Sequence, residues 1–195
     1  MERKFILDLG IGSGGDYIRD DPANITRIGL DKNIHALSSL IKKYQVEALN
    51  YDAEVSPHRG LPFKDGQFTH VDSFFPYTEL LYSLISDDHS LWQELYRIIV
   101  PNGTLSVVLE VPYNGILVQH NGCAQRVDMP YKHIFLNAQN AGFLAKVRVL
   151  AVDEIEKLKT PMGKMFASVA QADSSFSIYQ INATKNSNSV YRVQP

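Results

Sequence analysis

A glycine-rich turn near the start of the chain is the first segment whose residue types could do chemistry. Asp8–Gly15 reads D-L-G-I-G-S-G-G directly after an apolar run. Where a strand passes into a helix, glycine lets the backbone approach a ligand closely. Gly10, Gly12 and Gly15 match the dinucleotide-binding spacing, and Asp31 follows at the distance expected of a ribose-binding acid. The turn therefore predicts a site for a nucleotide-like cofactor.

Three acidic residues narrow the choice of cofactor. Asp8 precedes the first glycine, Asp31 ends the second apolar run and Asp52 follows the third. At Asp8 a carboxylate would face a pyrophosphate with no cation in the loop to compensate it. S-adenosylmethionine has no phosphate and carries a sulfonium and an ammonium group, so the three acids predict this methyl donor. The simpler alternative is that Asp8 and Asp52 are helix caps or turn residues.

Alternating apolar runs and amphipathic stretches define the elements that must position these residues. Seven strands are predicted, at Phe5–Leu9, Ile25–Leu30, Val46–Tyr51, Phe68–Phe75, Thr104–Leu109, Phe143–Val149 and Phe176–Ile181. Helices are predicted over Asn33–Tyr44, after Asp87-Asp88 and near Tyr131–Ala141, with a stop and turn at Pro101-Asn102-Gly103 and an irregular stretch from Glu110 to Met129. The pattern predicts an α/β fold, a Rossmann-like doubly wound seven-stranded sheet that is mostly parallel with an antiparallel last strand.

Composition limits the kind of protein. The 195 residues are 45% hydrophobic with a net charge of −2, which fits one domain over residues 1–184 and a polar tail over 185–195. Residues 126–195 hold nine basic and five acidic side chains, so any anion-binding face is expected there. A single cysteine, Cys123, excludes an internal disulfide and a cysteine zinc cluster. We expect a cytoplasmic protein without membrane segment or metal.

The ordered motifs resemble the class I S-adenosylmethionine-dependent methyltransferases over most of the chain. They are I-L-D-L-G-I-G-S-G-G, I-G-L-D, D-A-E and L-P-F-K-D-G-Q-F-T-H-V. The resemblance implies a cofactor-binding set in which the first acid and the glycine backbone hold the methionine end, the second acid holds the ribose and the third holds the adenine: Asp8, Gly10, Gly12, Asp31, Lys32, Asp52 and Ala53.

A second resemblance concerns the acceptor. Phe74–Ile85, F-F-P-Y-T-E-L-L-Y-S-L-I, looks like the F-P-W-G-x-L-L segment of the aminoglycoside-resistance methyltransferases that modify N1 of an adenine in small-subunit ribosomal RNA. In that family two tryptophans hold the extruded base by stacking. The resemblance implies a methyl-transfer segment of Phe75, Pro76 and Tyr77. It also implies a substrate lid over 152–175, with substrate contacts from Tyr77, Met162, Lys164 and Phe166.

The chain departs from that family in ways that keep other functions open. Tyr77 and the neighbourhood of Met162 stand where the family has tryptophans, and the basic run before the last strand is missing. One hypothesis is therefore methylation of 16S ribosomal RNA in the 30S subunit. The alternatives are a small-molecule methyltransferase, or a member that binds the cofactor but is catalytically weak. If the acceptor is a hydroxyl, Glu54 and Glu79 are the candidate bases.

Overall fold

A computed structural model of the chain shows one large sheet and a separate hairpin. The structure describes residues 3–10, 23–44, 47–52, 60–120, 123–158, 165, 167–168 and 175–187. The described residues form nine strands: β1 (Lys4–Leu9), β2 (Ile25–Asp31), β3 (Glu47–Asn50), β4 (Phe68–Phe74), β5 (Ile99–Pro112), β6 (Ile116–His120), β7 (Cys123–Val127), β8 (Phe143–Val149) and β9 (Phe176–Lys185).

The sheet order confirms the predicted fold class. Seven strands pair in the order β3-β2-β1-β4-β5-β9-β8. The first five run parallel to one another, whereas β9 runs antiparallel to both of its neighbours, β5 and β8. The chain fills the sheet outward from β1 in one direction and from β4 in the other, which is the doubly wound arrangement.

Five helices connect the strands within the described residues: α1 (Ile34–Tyr44), α2 (Thr78–Ile85), α3 (Ser90–Ile98), α4 (Pro130–Asn140) and α5 (Val152–Glu156). α3 begins where the Asp88 carboxylate accepts the backbone N–H of Ser90 at 3.0 Å, as an acidic residue at a helix start should. Pro130 occupies the first turn of α4, where its missing N–H costs nothing. The helices predicted over Asn33–Tyr44 and Tyr131–Ala141 agree with α1 and α4 to within one residue at each end.

The stretch from Glu110 to Met129, predicted to be irregular, is mostly strand. β5 continues to Pro112, and β6 and β7 form an antiparallel hairpin with Ile116 opposite Val127. Along β6 the side chains alternate, because Val118 is buried while Leu117 is 57% exposed. The prediction was therefore wrong here.

The predicted stop and turn at Pro101-Asn102-Gly103 also lies inside β5, which already begins at Ile99. Asn102 takes a left-handed backbone conformation, φ +63°. The pairing of β4 with β5 shifts register between Phe68 and His70, opposite this segment. The turn-forming residues thus produce an irregularity within a strand instead of ending it.

One face of the sheet is covered by α2, α3 and α4, whose apolar side chains form the main core with those of the central strands. The C-terminal end of α2 is anchored by two buried side chains. Trp92 donates its indole N–H to the Leu84 carbonyl at 3.0 Å, and the Asn137 amide donates to the Leu84 and Ser86 carbonyls at 3.1 and 3.0 Å. Helix C-termini leave such carbonyls without partners inside the helix. α2 is therefore fixed at its far end while its N-terminus reaches the carboxyl edge of the sheet.

The opposite face of the sheet carries a smaller apolar cluster. It is formed around Phe74, Val108 and Ile178 and packs beneath Ile155 of α5, and the strands beside it carry charged side chains.

No helix of the described residues is both long and apolar enough to cross a membrane. Within the same residues, no group of three or more His, Cys, Asp and Glu side chains is arranged to hold a metal ion.

Candidate cofactor-binding site

The candidate site lies at the carboxyl ends of β1, β2 and β4. These three strands are adjacent, and the winding direction reverses between β1 and β4. In open α/β sheets the crevice at that reversal is where ligands bind. Asp8, Asp31 and the segment after Phe74 all reach this edge, as the sequence predicted.

Gly10 joins the ends of three elements. Its N–H donates to the Leu30 carbonyl of β2 at 2.8 Å, and its φ of +73° is the left-handed conformation that favours glycine. A Cβ at this position would lie 2.6 Å from Leu80 Cδ2 and 3.4 Å from the Tyr77 ring. Glycine is required here because the start of α2 packs directly on the turn.

Asp31 is held in a fixed orientation at the end of β2. The residue is only 2% exposed, and its Oδ1 accepts the Asn33 backbone N–H at 2.7 Å. Its carbonyl accepts the Tyr51 N–H at 2.9 Å and the Asn50 side-chain amide at 3.2 Å. A buried and oriented carboxylate at this position suits a ligand that offers hydroxyl donors.

Asp8 belongs to a buried charge network that crosses the sheet. Arg27 of β2 donates to Asp8 Oδ1 at 2.6 Å and to Asp72 Oδ2 at 3.2 Å. Asp72 Oδ1 lies 2.7 Å from His70 Nε2, and His70 Nδ1 lies 2.5 Å from Thr104 Oγ1. The Arg27 side chain is 7% exposed and that of Asp72 4% exposed.

The ion pair with Arg27 weakens the electrostatic preference of Asp8 for a cationic cofactor. The sequence of the glycine turn contains no basic residue, but Arg27 on the neighbouring strand supplies a cation to Asp8. Asp8 therefore presents less negative charge to a ligand than its sequence context suggested. The sequence feature that could have indicated this ion pair is the arginine inside the otherwise apolar strand I-T-R-I-G-L. An arginine is costly to bury unless it is paired with an acid.

Lys32, directly after β2, reaches across the carboxyl edge of the sheet to α2. Its ammonium lies 3.2 Å from Glu79 Oε1 and 4.9 Å from the centre of the Tyr77 ring. The pKa of Glu79 is lowered, mainly by its own backbone N–H in the first turn of α2, with Lys32 adding to the effect. These contacts pair Glu79 with Lys32 and the helix dipole, and the lowered pKa makes it a weaker proton acceptor than a free glutamate.

The Phe75-Pro76-Tyr77 segment turns sharply away from β4. Phe75 has φ +51°, which is strained for a residue with a side chain, and its N–H donates to the Val108 carbonyl at 2.7 Å. The Tyr77 ring folds back onto Gly10 and packs against the main core. Tyr77 is thus partly buried, with one side of its ring against the glycine turn.

Two residues near the site escaped the sequence predictions, Arg27 inside β2 and Glu110. Glu110 lies near the carboxyl end of β5, half-buried, and burial raises its pKa. The sequence feature that could have identified Glu110 is an acid in the strand-end sequence L-E-V-P.

Five predicted site residues lie outside the described part of the chain: Gly12, Ala53, Met162, Lys164 and Phe166. The candidate base Glu54 also lies there.

No family model matches the chain, and no curated protein matches it. Solved structures do match. A crystal structure of the 16S rRNA methyltransferase KamB aligns with a TM-score of 0.68 at 15% identity, covering 95% of this chain and 89% of that one. Geranyl diphosphate methyltransferase in complex with S-adenosylmethionine aligns with a TM-score of 0.61 at 13% identity, covering 94% and 78%. The [4+2]-cyclase SpnF aligns with a TM-score of 0.62 at 16% identity, covering 95% and 76%. Likeness at these identities establishes a shared fold.

Proposed function

We propose that this chain is an S-adenosylmethionine-dependent methyltransferase. The observation that carries the proposal is the meeting of three strand ends at the winding reversal. Gly10 is hydrogen-bonded to Leu30 next to the buried Asp31 carboxylate, and Tyr77 closes the third side. This is the edge at which a doubly wound sheet binds a nucleoside.

The residues present fit that cofactor. The Asp31 carboxylate would accept the ribose hydroxyls, and the Gly10 backbone would lie against the methionine end. Asp8 retains part of its charge for the ammonium group because Arg27 is shared with Asp72. Bound S-adenosylmethionine supplies a methyl group already activated by its sulfonium centre. The chain then has to exclude water and hold the acceptor in line, and we assign this task to Tyr77 and the Phe75 turn.

Cofactor binding is tested by calorimetry with S-adenosylhomocysteine. Asp31→Ala should weaken binding roughly 30- to 150-fold, because loss of a charge-assisted contact to two hydroxyls costs about 2–3 kcal/mol. Asp65→Ala, which removes an exposed carboxylate paired with Arg97 ahead of β4, is the matched control and should bind as the wild type does. Binding of NAD without any binding of S-adenosylhomocysteine would overturn the proposal.

We further propose that the acceptor is an adenine ring nitrogen in small-subunit ribosomal RNA. Support comes from the F-F-P-Y-T-E-L-L segment, from the fold shared with the 16S rRNA methyltransferase KamB, and from the excess of basic residues in 126–195. The test is transfer of labelled methyl groups to 30S subunits at low and high salt. Transfer should fall steeply with salt. The reading fails if no label enters the subunit even at low salt with a Tyr77→Trp variant.

A small-molecule acceptor is the second candidate. It is favoured by the position of the Tyr77 ring, which packs on Gly10 and is only partly exposed, and the fold is shared with geranyl diphosphate methyltransferase. Label entering a metabolite extract and not 30S subunits would select it. Cofactor binding with no transfer to either would select the cofactor-binding, catalytically weak alternative. A [4+2]-cyclase sharing the fold shows that the fold does not require methyl transfer.

A further inference from the structure

One aromatic ring at the carboxyl edge of the sheet is almost completely exposed. Tyr113 follows directly after β5 and is 95% exposed. Its backbone is nevertheless fixed, because its N–H donates to the Ser175 carbonyl at 2.7 Å and the Gly115 N–H donates to the Pro112 carbonyl at 2.9 Å. Gly115 has φ +83°, and a Cβ there would lie 2.7 Å from the backbone of the hairpin. The turn thus presents the ring on a rigid support.

The same ring borders a small aromatic cavity, here called the β5-end pocket. The cavity has a volume of about 200 Å³ and is lined by Tyr113, Met129, Tyr131, Phe176 and Tyr179 among others. Tyr131 and Tyr179 stack face to face with their centres 4.0 Å apart and their planes 5° apart. Burial and the neighbouring Tyr131 raise the pKa of Tyr179, so its phenol stays neutral. Because the cavity is smaller than sites that bind drug-sized ligands, it suits a ligand with one flat ring system.

The charge of the pocket limits which substituents a bound ligand ring can carry. Among the described residues, Asp128 is the one charged side chain that lines it. Within the described part of the chain Asp128 has no hydrogen-bond or ion-pair partner, and no Lys or Arg side chain lines the cavity. A phosphate or carboxylate would therefore be repelled, whereas an amino group could donate to the Asp128 carboxylate.

The pocket lies one strand beyond the proposed cofactor site along the same edge, since β5 pairs with β4. We propose that the β5-end pocket binds an amino-substituted nitrogen heterocycle, which stacks on Tyr113 and donates an N–H to Asp128. The inference rests on the proposed function in one respect, that this ring is the methyl acceptor or part of it. Aromatic stacking of this kind accepts any flat ring, and the carboxylate selects rings that carry an amino group.

The test is an NMR titration of the full chain saturated with S-adenosylhomocysteine, which keeps nucleosides out of the cofactor site. The probes are adenosine, cytidine and uridine, observed through ¹³C-labelled tyrosine rings. Adenosine and cytidine should shift the Tyr113 signal and uridine should bind more weakly. Tyr113→Ala should weaken adenosine binding roughly 5- to 150-fold, whereas Tyr113→Phe should restore it. The control is Leu117→Ala, which trims an exposed apolar side chain on the hairpin outside the pocket.

Asp128→Asn separates stacking from amino-group recognition. It should reduce the preference for adenosine and cytidine over uridine while leaving the stacking interaction in place. The inference is overturned if Tyr113→Ala binds adenosine as tightly as the wild type, or if no nucleoside shifts the Tyr113 signal. Either result with S-adenosylhomocysteine still bound leaves the proposed function standing. Failure of S-adenosylhomocysteine to bind is instead a failure of the proposed function.

Discussion

Replacing Arg27 by methionine should be among the most destabilising single changes in the chain. Arg27→Met keeps a side chain of similar length but removes the cation that contacts Asp8 at 2.6 Å and Asp72 at 3.2 Å. The side chains of these two acids are 14% and 4% exposed. Breaking a buried ion pair by deleting one partner costs about 3–5 kcal/mol, because a charge remains buried without compensation.

We expect the lower end of that range, about 3 kcal/mol. Asp8 keeps some access to solvent, and Asp72 retains His70 at 2.7 Å as a second partner. With a urea m-value of about 2 kcal/mol/M, the unfolding midpoint should fall by about 1.5 M with m unchanged. The assay is urea unfolding followed by far-ultraviolet circular dichroism at neutral pH.

Two further variants identify the cause of the effect. Adding Asp8→Asn to Arg27→Met should recover a large part of the lost stability, because the buried charge is then removed along with its partner. Arg148→Met breaks an ion pair with Glu154 whose arginine is 52% exposed, and should leave the midpoint almost unchanged. A small effect of Arg27→Met, or no recovery in the double variant, would refute the buried-network account.

Two other predictions concern the parts of the fold that support the site. Asn137→Ala should lower the free energy of unfolding by about 1–3 kcal/mol, because the Leu84 and Ser86 carbonyls lose a buried donor; Asn140→Ala, at an exposed position of the same helix, should not. The pKa of Glu94 is lowered, chiefly by its contact with the Arg97 guanidinium. Its contribution to stability is therefore present above the unfolded-state pKa of about 4.3 and is lost as pH falls through the folded-state value, so Glu94→Gln should flatten the decline of the urea midpoint below about pH 4.5.

The fold class and the positions of the central strands could be predicted because each central parallel strand is a short apolar run with its own boundary signals. The hairpin was missed although I-L-V-Q-H-N-G-C-A-Q-R-V contains Asn121-Gly122 between two potential strands, a strong signal for a two-residue hairpin turn. Few large apolar residues mark its second strand, and β7 is exposed over most of its length. A pattern search based on burial alone cannot find a strand that buries so little.

Side-chain direction was harder to predict than position along the chain. The edge to which Tyr77 belongs followed from its place after β4, but the direction of its ring depends on how closely α2 packs on Gly10. That approach is set by the anchoring of α2 at its other end, through Trp92 and Asn137 from later parts of the sequence. Contacts of such long range leave no local pattern.

The pairing of Arg27 with Asp8 bears on how the cofactor would be selected. A free carboxylate at Asp8 would itself discriminate between a cationic sulfonium cofactor and an anionic pyrophosphate. With the guanidinium at 2.6 Å, that discrimination is reduced at Asp8. We propose that selection then depends more on Asp31, which ends the strand that carries Arg27 and whose carboxylate is oriented by the Asn33 N–H. We therefore propose that the two acids contribute differently: Asp8 ties β1 to β2 and β4 through Arg27 and keeps only part of its charge for the methionine end, whereas Asp31 would accept the ribose hydroxyls.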